Sequence, residues 1–140
     1  MAGAAPRFRP SDLFIRFFFL FTLTLASYNP TGYSYVHWAL DPSFEYVSVK
    51  LVIGMALFLA HAYFIRITHR ALQYRGERLA VLFFVSAAWA LWSQDLFPST
   101  WSWLVLAVEA AYALYLAAGM SFVLLWQHVS GQVTAIPEVH

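Results

Sequence analysis

Two long apolar runs, residues 47–65 and 79–93, flank a connector that is rich in arginine. The connector, residues 66–78, holds half of the eight Lys and Arg residues of the chain: Arg66, Arg70, Arg75 and Arg78. Arginines beside apolar spans resist translocation, so a basic connector between two such runs is typical of a cytoplasmic loop. The sequence therefore predicts a multi-pass membrane protein, and the connector fixes the direction of every span.

The composition supports a membrane class. The chain of 140 residues is 61% hydrophobic and only 11% charged, whereas a soluble domain carries about 25% charged residues. A membrane-spanning helix needs about 20 mostly apolar residues, so this length accommodates four of them. We predict an all-α integral membrane protein that forms one domain, residues 1–140, with four helices in an up-down bundle.

The predicted spans cover residues 13–28, 43–68, 77–96 and 101–128. With this assignment both termini are cytoplasmic, and Lys50 is the only basic residue on the outer side. The seven basic residues on the cytoplasmic side are Arg7, Arg9, Arg16, Arg66, Arg70, Arg75 and Arg78. Membrane proteins show the same excess of Lys and Arg on the cytoplasmic side.

Local signals predict where the spans begin and break. Ser11 or Asp12 is the predicted N-cap of the first span. Asp41 followed by Pro42 reads as an N-cap and a first helical position for the second span. Within the basic connector, Gly76 is the predicted break between the second and third spans.

Residues 29–42 are predicted to form an interfacial element on the outer surface. Pro30 cannot continue the first helix, and Gly32 allows a turn with a positive φ. Tyr and Trp side chains prefer the boundary between membrane and water, where both the apolar ring and the polar tip are satisfied. The residues assigned to this element are Asn29, Pro30, Gly32, Tyr33, Tyr35 and Trp38.

Glu109 is the leading candidate for a functional residue. A carboxylate within an apolar span is costly, and such residues tend to face the bundle interior and to mark pathways for ions or protons. Alternatively, Glu109 pairs with Lys50 or with a tyrosine and fixes helix packing, or it lies in a groove or a subunit contact. Lys50 can equally pair with Asp95, which ends the third span at a similar level.

His61 and several small residues complete the set of candidates. His61 is interpreted either as a core histidine bonded to a neighbouring helix or as a titrating relay. Counting along the spans places it roughly 10 Å from Glu109 along the membrane normal, so the two are predicted to be relay steps and not direct partners. Small residues let helices approach closely. Those predicted to serve helix packing are Gly54, Ala113, Ala117 and Ser121.

Several chemistries lack sequence support. The chain has no cysteine, which removes disulfides and thiolate metal sites. The five histidines form no i, i+3 or i, i+4 pair, so zinc and haem are not expected. Motifs of serine hydrolases, zinc proteases and phosphate-binding loops are missing. We therefore expect no enzymatic activity, no cofactor and no nucleic-acid partner, and we interpret the connector arginines as a topology signal that contacts anionic lipids.

Two short motifs resemble a known family. Residues 29–35, Asn-Pro-Thr-Gly-Tyr-Ser-Tyr, with His37 and Trp38 after them, and the Ser-Gly-Gln-Val sequence at residues 130–133 resemble a family of small bacterial four-span membrane proteins of unknown function. The resemblance implies four helices and a location in the bacterial inner membrane. It brings no activity, ligand or catalytic residue. The tail, residues 134–140, is less acidic than the usual ending of that family.

Two classes of function follow from these features. The first is a homo-oligomeric membrane protein with a role in ion or proton conduction or transport, in which Glu109 and His61 line a polar path. The second is a structural or accessory subunit of a larger membrane complex. Because four helices of this size enclose little space, both hypotheses favour assembly with further copies or other membrane proteins.

Overall fold

The computed structural model of the protein describes residues 9–42 and 45–130. In these ranges the chain forms the helices α1 (Pro10–Ser27), α2 (Tyr35–Ala39), α3 (Val47–Ser93) and α4 (Trp101–Ser130). The all-α fold class that the sequence predicts is therefore confirmed. The tail after Ser130, with most of the Ser-Gly-Gln-Val motif, lies outside the described residues.

α3 consists of two helical arms that meet at Gln73. This residue has a φ of 52° and a ψ of −178°, far from the values of an α-helix. We call residues 47–72 the first arm and residues 74–93 the second arm. Gly76, where the sequence predicts the break, is instead helical and buried. A Cβ atom there would lie 3.1 Å from Leu72 Cβ, so the glycine serves close packing next to the break.

Three helical segments are long and apolar enough to cross a membrane: Pro10–Ser27, Val47–Tyr74 and Trp101–Phe122. The second arm is not among them. Glu77 and Arg78 at its start leave an apolar run of about 15 residues, which spans about 22 Å of a hydrocarbon core that is about 30 Å thick. Three of the four predicted spans thus correspond to candidate membrane helices, and the fourth stays a prediction.

The outer surface of these helices is apolar. Phe18 is 61% exposed, Phe58 68% and Trp89 73%. A soluble monomer rarely exposes contiguous apolar surface on this scale. Lipid chains cover such side chains without cost, which agrees with the membrane class.

Two helices begin at residues other than the predicted caps. α1 begins at Pro10 with Arg9 in the N-cap position, and Asp12 lies in the first turn, where a negative charge favours the helix dipole. α3 begins at Val47 after Tyr46, whose φ is 61°, and not at the Asp41-Pro42 pair. α3, which contains the second predicted span, therefore starts four residues after the predicted bound at residue 43.

α4 is the central helix, with α1 on one side and α3 on the other. The core between α1 and α4 consists of Leu20 packed against Ala113, Leu116 and Ala117. These alanines belong to the predicted small-residue row, whose last member, Ser121, is also buried. The small-residue row therefore packs within a single molecule, at the contact between α1 and α4.

The opposite side of α4 contacts the first arm of α3. Thr68 is fully buried there, and its Oγ1 donates to the carbonyl oxygen of Leu116 at 3.3 Å. Gly119, one turn further on, has no side chain and so leaves room for the Thr68 methyl group. Since His61 stacks on Tyr112 and Thr68 lies beside Leu116, the first arm and α4 run in the same direction.

The second arm lies along α4 as well. The two line one apolar groove of about 330 Å³, to which the second arm contributes Gly76 and Phe84 and α4 contributes Leu114 and Phe122. The break at Gln73 therefore folds the second arm back beside α4.

The direction of the second arm follows from the connection after it. The arm ends at Ser93, and α4 begins at Trp101 after a connection of seven residues. Such a connection reaches at most about 25 Å. The other end of the arm comes shortly after Thr68 in the chain. Thr68 contacts α4 at Gly119, which is eighteen residues after Trp101. The second arm and α4 are therefore antiparallel, which is the order of an up-down bundle.

Replacing Gly119 by alanine tests the contact between α3 and α4. The added methyl group would overlap the Thr68 methyl group, and overpacking of this kind costs about 1–3 kcal/mol. Gly119→Ala should therefore lower the midpoint of thermal unfolding in detergent. Thr68→Ser removes the obstructing methyl group but keeps the hydroxyl, so the double variant should recover most of the loss. A Gly119→Ala protein as stable as the wild type would contradict the close approach.

Candidate functional site

The carboxyl group of Glu109 is buried in the helix bundle. The residue is 6% exposed, and neither Oε1 nor Oε2 has a hydrogen-bond partner in the part of the chain that the structure describes. It lies one turn before Ala113, so it continues the buried face of α4. Burial of a carboxylate without a compensating bond is strongly unfavourable, so an unsatisfied group of this kind requires an explanation.

Lys50 does not neutralise Glu109. The lysine is also buried, at 7% exposure, but its Nζ donates to the carbonyl oxygen of Asp41 at 3.2 Å and lies 5.6 Å from the centre of the Trp38 ring. Asp95, the other predicted partner, lies exposed in the turn after α3, with a φ of 54°. The ion pairs of Lys50 with Glu109 or Asp95 are therefore not formed among the described residues.

Arg16 is hydrogen-bonded to a part of α4 that is distant from Glu109. Its Nη1 donates to the carbonyl oxygen of Met120 at 3.0 Å and to Ser121 Oγ at 2.9 Å. Ser121 is twelve residues from Glu109, or about 18 Å along the helix. The arginine thus joins α1 to α4 and is not a partner of Glu109.

His61 lies close to the level of Glu109. Its ring stacks on that of Tyr112, with centroids 6.0 Å apart and planes 6° from parallel. Tyr112 follows Glu109 by three residues, about 4.5 Å along α4. Counting residues along the spans predicts that the two candidates are roughly 10 Å apart along the membrane normal. The stacking on Tyr112 brings them closer in level, because such counting does not include the displacement of one helix along another.

The hydrogen bond of His61 defines its tautomer. Nδ1 lies 2.9 Å from the carbonyl oxygen of Leu57. A carbonyl oxygen can only accept, so Nδ1 carries the hydrogen and donates it. In the neutral ring Nε2 then has a free lone pair. His61 thus presents one nitrogen that can take a proton.

The outer element is an ordered turn. Asn29 Nδ2 donates to the carbonyl oxygens of Leu25 and Tyr33, at 3.0 and 2.7 Å. Its Oδ1 accepts from the backbone nitrogen of Thr31 at 3.0 Å. Gly32 has a φ of 89°, the positive value that the sequence predicts. The Asn-Pro-Thr-Gly sequence therefore forms a turn closed by the asparagine side chain.

This outer element is fixed to the first arm of α3. Tyr35 Oη donates to the carbonyl oxygen of Lys50 at 2.7 Å. A side chain at Gly54 would overlap the Tyr35 hydroxyl. Gly54, predicted to serve helix packing, thus makes room for a tyrosine from the short helix α2. Trp38 packs edge-on against Tyr35, with ring centroids 6.2 Å apart.

The connector arginines lie around the break in α3. Arg66, Arg70 and Arg78 are exposed, and the side chain of Arg75 lies outside the described part of the structure. The Arg78 guanidinium lies 3.9 Å above the centre of the Tyr74 ring and also donates to its hydroxyl. Beside them, His69 pairs with Glu77. These exposed guanidinium groups form a basic surface at one end of the bundle.

In the described part of the structure, metal-ligating side chains are not grouped around Glu109. Within residues 9–42 and 45–130, no three His, Cys, Asp or Glu side chains come together as a metal site would require. Sequence reasoning missed two contacts: the stacking of Tyr112 on His61, and the hydrogen bond from Tyr35 to the carbonyl oxygen of Lys50. For Tyr112, the i, i+3 spacing from Glu109 was the available signal.

Replacing Glu109 by methionine tests whether its carboxyl group stabilises the fold. An apolar chain of similar volume in place of an unpaired buried polar group is neutral or stabilising. We therefore expect Glu109→Met to leave the midpoint of thermal unfolding in detergent unchanged or to raise it. Ser121→Ala is the matched control on the same helix, because it removes an acceptor of Arg16 and should cost about 1 kcal/mol. A larger loss for Glu109→Met than for Ser121→Ala would mean that the carboxyl has a stabilising partner.

Comparison with known proteins gives a family but no activity. No curated protein and no solved structure matches the chain. The model of a family of unknown function (DUF6524) matches residues 11–138. This match confirms the prediction of an uncharacterised family. The chain belongs to this family of unknown function.

Proposed function

We propose that this protein is a four-span protein of the bacterial inner membrane that conducts or transports an ion or a proton through a polar path at Glu109. The observation that carries the proposal is the buried carboxyl group without a hydrogen-bond partner among the described residues. Intramembrane carboxylates of this kind face bundle interiors and mark ion or proton pathways.

The contrast with the other buried polar groups supports a functional role. Thr68 and Lys50 are each bonded to a backbone carbonyl oxygen, and Ser121 accepts from Arg16. A carboxylate that served only helix packing would be expected to have such a bond too. Because Glu109 has no hydrogen-bond partner among the described residues, its burial destabilises the protein, and this cost is relieved when an ion or a proton occupies the site.

The proposed topology has four spans with both termini in the cytoplasm. The second arm of α3 supplies the third span, since it runs antiparallel to α4 and the connection from Ser93 to Trp101 is short. Local thinning of the bilayer or snorkelling of Arg78 accommodates its short apolar run. The connector arginines, Arg66, Arg70, Arg75 and Arg78, then face the cytoplasm and contact anionic lipid headgroups.

The proposed active form is a homo-oligomer. The second arm is covered by α4 on one side, while large side chains such as Phe83, Val85 and Trp92 are exposed. One chain thus offers little enclosed space for a path, and contact between copies provides more. The proposal involves no catalysis, no cofactor and no nucleic acid.

An accessory role in a larger membrane complex is the second candidate. The observation that favours it is the open apolar groove between the second arm and α4, with the small residues Gly76, Ala80 and Ala118 in its wall. Small residues allow a helix of another protein to approach closely. In this case Glu109 would be satisfied by a group of the partner, and the isolated protein would carry no ion flux.

Replacing Glu109 by glutamine tests the conduction role. Glutamine keeps the size and removes the ionisable group, so Glu109→Gln should reduce ion flux at least tenfold in proteoliposomes. Wild-type protein should dissipate imposed gradients of protons or alkali cations. Size-exclusion chromatography of both proteins checks that assembly is unchanged. A wild-type protein without flux of any ion, under voltage and pH gradients, would rule the role out.

Single cysteines test the topology, because the natural chain has none. Tyr33, Tyr74 and Gln94 are exposed and can each be replaced by cysteine. In spheroplasts, a membrane-impermeant maleimide should label Tyr33→Cys and Gln94→Cys, and should label Tyr74→Cys only after permeabilisation. If Gln94→Cys and Tyr74→Cys instead react from the same side, the second arm does not cross the membrane.

A further inference from the structure

We infer that the species handled at Glu109 is a proton, and that it passes between the Glu109 carboxyl group and Nε2 of His61. This inference rests on the proposed function, because it names the species that the same polar path carries. Three observations support it: the surroundings of the Glu109 oxygens, the bond that fixes the His61 tautomer, and the position of Tyr112.

The surroundings of Glu109 suit a proton better than a metal cation. A hard cation such as Ca²⁺ takes about 6–8 oxygen ligands. Among the described residues, no group of three or more His, Cys, Asp or Glu side chains that could hold a metal ion includes Glu109. The carbonyl oxygens of neighbouring helical turns are engaged in the helices themselves. A proton needs no further ligand, since it binds covalently to one carboxyl oxygen.

His61 is arranged to exchange that proton. Because Nδ1–H donates to the carbonyl oxygen of Leu57 at 2.9 Å, the ring is fixed in the tautomer whose Nε2 accepts. The stacked ring of Tyr112 holds the imidazole against α4, one turn from Glu109. The lone pair of Nε2 is therefore the position on this ring that accepts and releases the proton.

The proposed transfer conserves charge and protons. The neutral carboxylic acid gives its proton to Nε2, which leaves a carboxylate on α4 and an imidazolium stacked on Tyr112, three residues further along the same helix. Because neither Glu109 oxygen is hydrogen-bonded to His61, the proton passes between the two groups through water. The imidazolium then releases the Nε2 proton toward one side of the membrane, and the carboxylate takes a proton from the other side. The cycle returns both groups to their neutral forms.

The other charged groups on the packed helices do not interrupt this exchange. On α3, Lys50 donates to the carbonyl oxygen of Asp41. On α1, Arg16 donates to Met120 and Ser121, more than three turns of α4 away from Glu109. On α4 the nearest titratable side chain in sequence is Tyr112, which stacks on His61. Glu109 and His61 are therefore the pair that exchanges the proton.

The test compares proton flux with sodium flux in proteoliposomes. An internal pH dye reports protons, and ²²Na⁺ uptake reports sodium, at a voltage set by potassium and valinomycin. Wild-type protein should carry protons with sodium uptake at background. Glu109→Gln should reduce proton flux at least tenfold, and His61→Gln several-fold. His69→Gln is the matched control, because this histidine is exposed and pairs with Glu77 beside the break in α3, and it should leave the flux unchanged.

The outcomes separate this inference from the function on which it rests. A sodium flux that Glu109→Gln abolishes would overturn the proton and leave ion conduction intact. Proton flux unaffected by His61→Gln would overturn the exchange with histidine. No flux of either ion would overturn the proposed function and this inference together.

A chemical label provides a second readout on unaltered protein. Dicyclohexylcarbodiimide reacts with protonated carboxyl groups in apolar surroundings, and peptide mass spectrometry locates the adduct. We expect modification at Glu109 that high concentrations of Na⁺ do not slow. Protection by Na⁺ would identify a cation site and overturn the inference, whatever the variants do.

Discussion

Lipid cannot form hydrogen bonds with the backbone, and the remaining features of the structure follow from this constraint. Every N–H and C=O group at membrane depth must be satisfied within the chain, so only helices are available to a chain of this kind. Because lipid covers apolar side chains as well as protein does, large rings such as Phe58 and Trp89 lie on the outside. Helix contacts then depend on close packing. α4 provides it with Ala113 and Ala117 toward α1 and with Gly119 toward α3.

The same constraint gives the polar side chains their roles. In an apolar medium a polar group without a partner is costly, and most of those in the bundle have one. Arg16 joins α1 to α4, Thr68 joins α3 to α4, and Tyr35 fixes the outer turn to α3. Glu109 differs from them, because both of its oxygens are buried without a hydrogen bond among the described residues. Its position beside the stacked pair of Tyr112 and His61 makes this exception a candidate site and not a packing defect.

Much of the fold and part of the site could be predicted from the sequence. Apolar runs longer than 18 residues require lipid, so the all-α membrane class followed directly. Gly32 had to adopt a positive φ in the turn after α1. The break in α3 could not be located, because Gly76 is a better helix breaker than Gln73 by intrinsic preference. Packing of Gly76 against Leu72 outweighs that preference.

The sequence by itself therefore determined three properties of the protein. They are the lipid environment of its helices, the all-α class of its fold and the position of Glu109 in an apolar helix. These depend on composition along the chain, which needs no knowledge of neighbours. The partners of the buried charges were decided only by the tertiary structure. Lys50 bonds to the carbonyl oxygen of Asp41 and His61 stacks on Tyr112, since the displacement of each helix along the next sets which side chains meet. That displacement results from packing between helices, and no single segment encodes it.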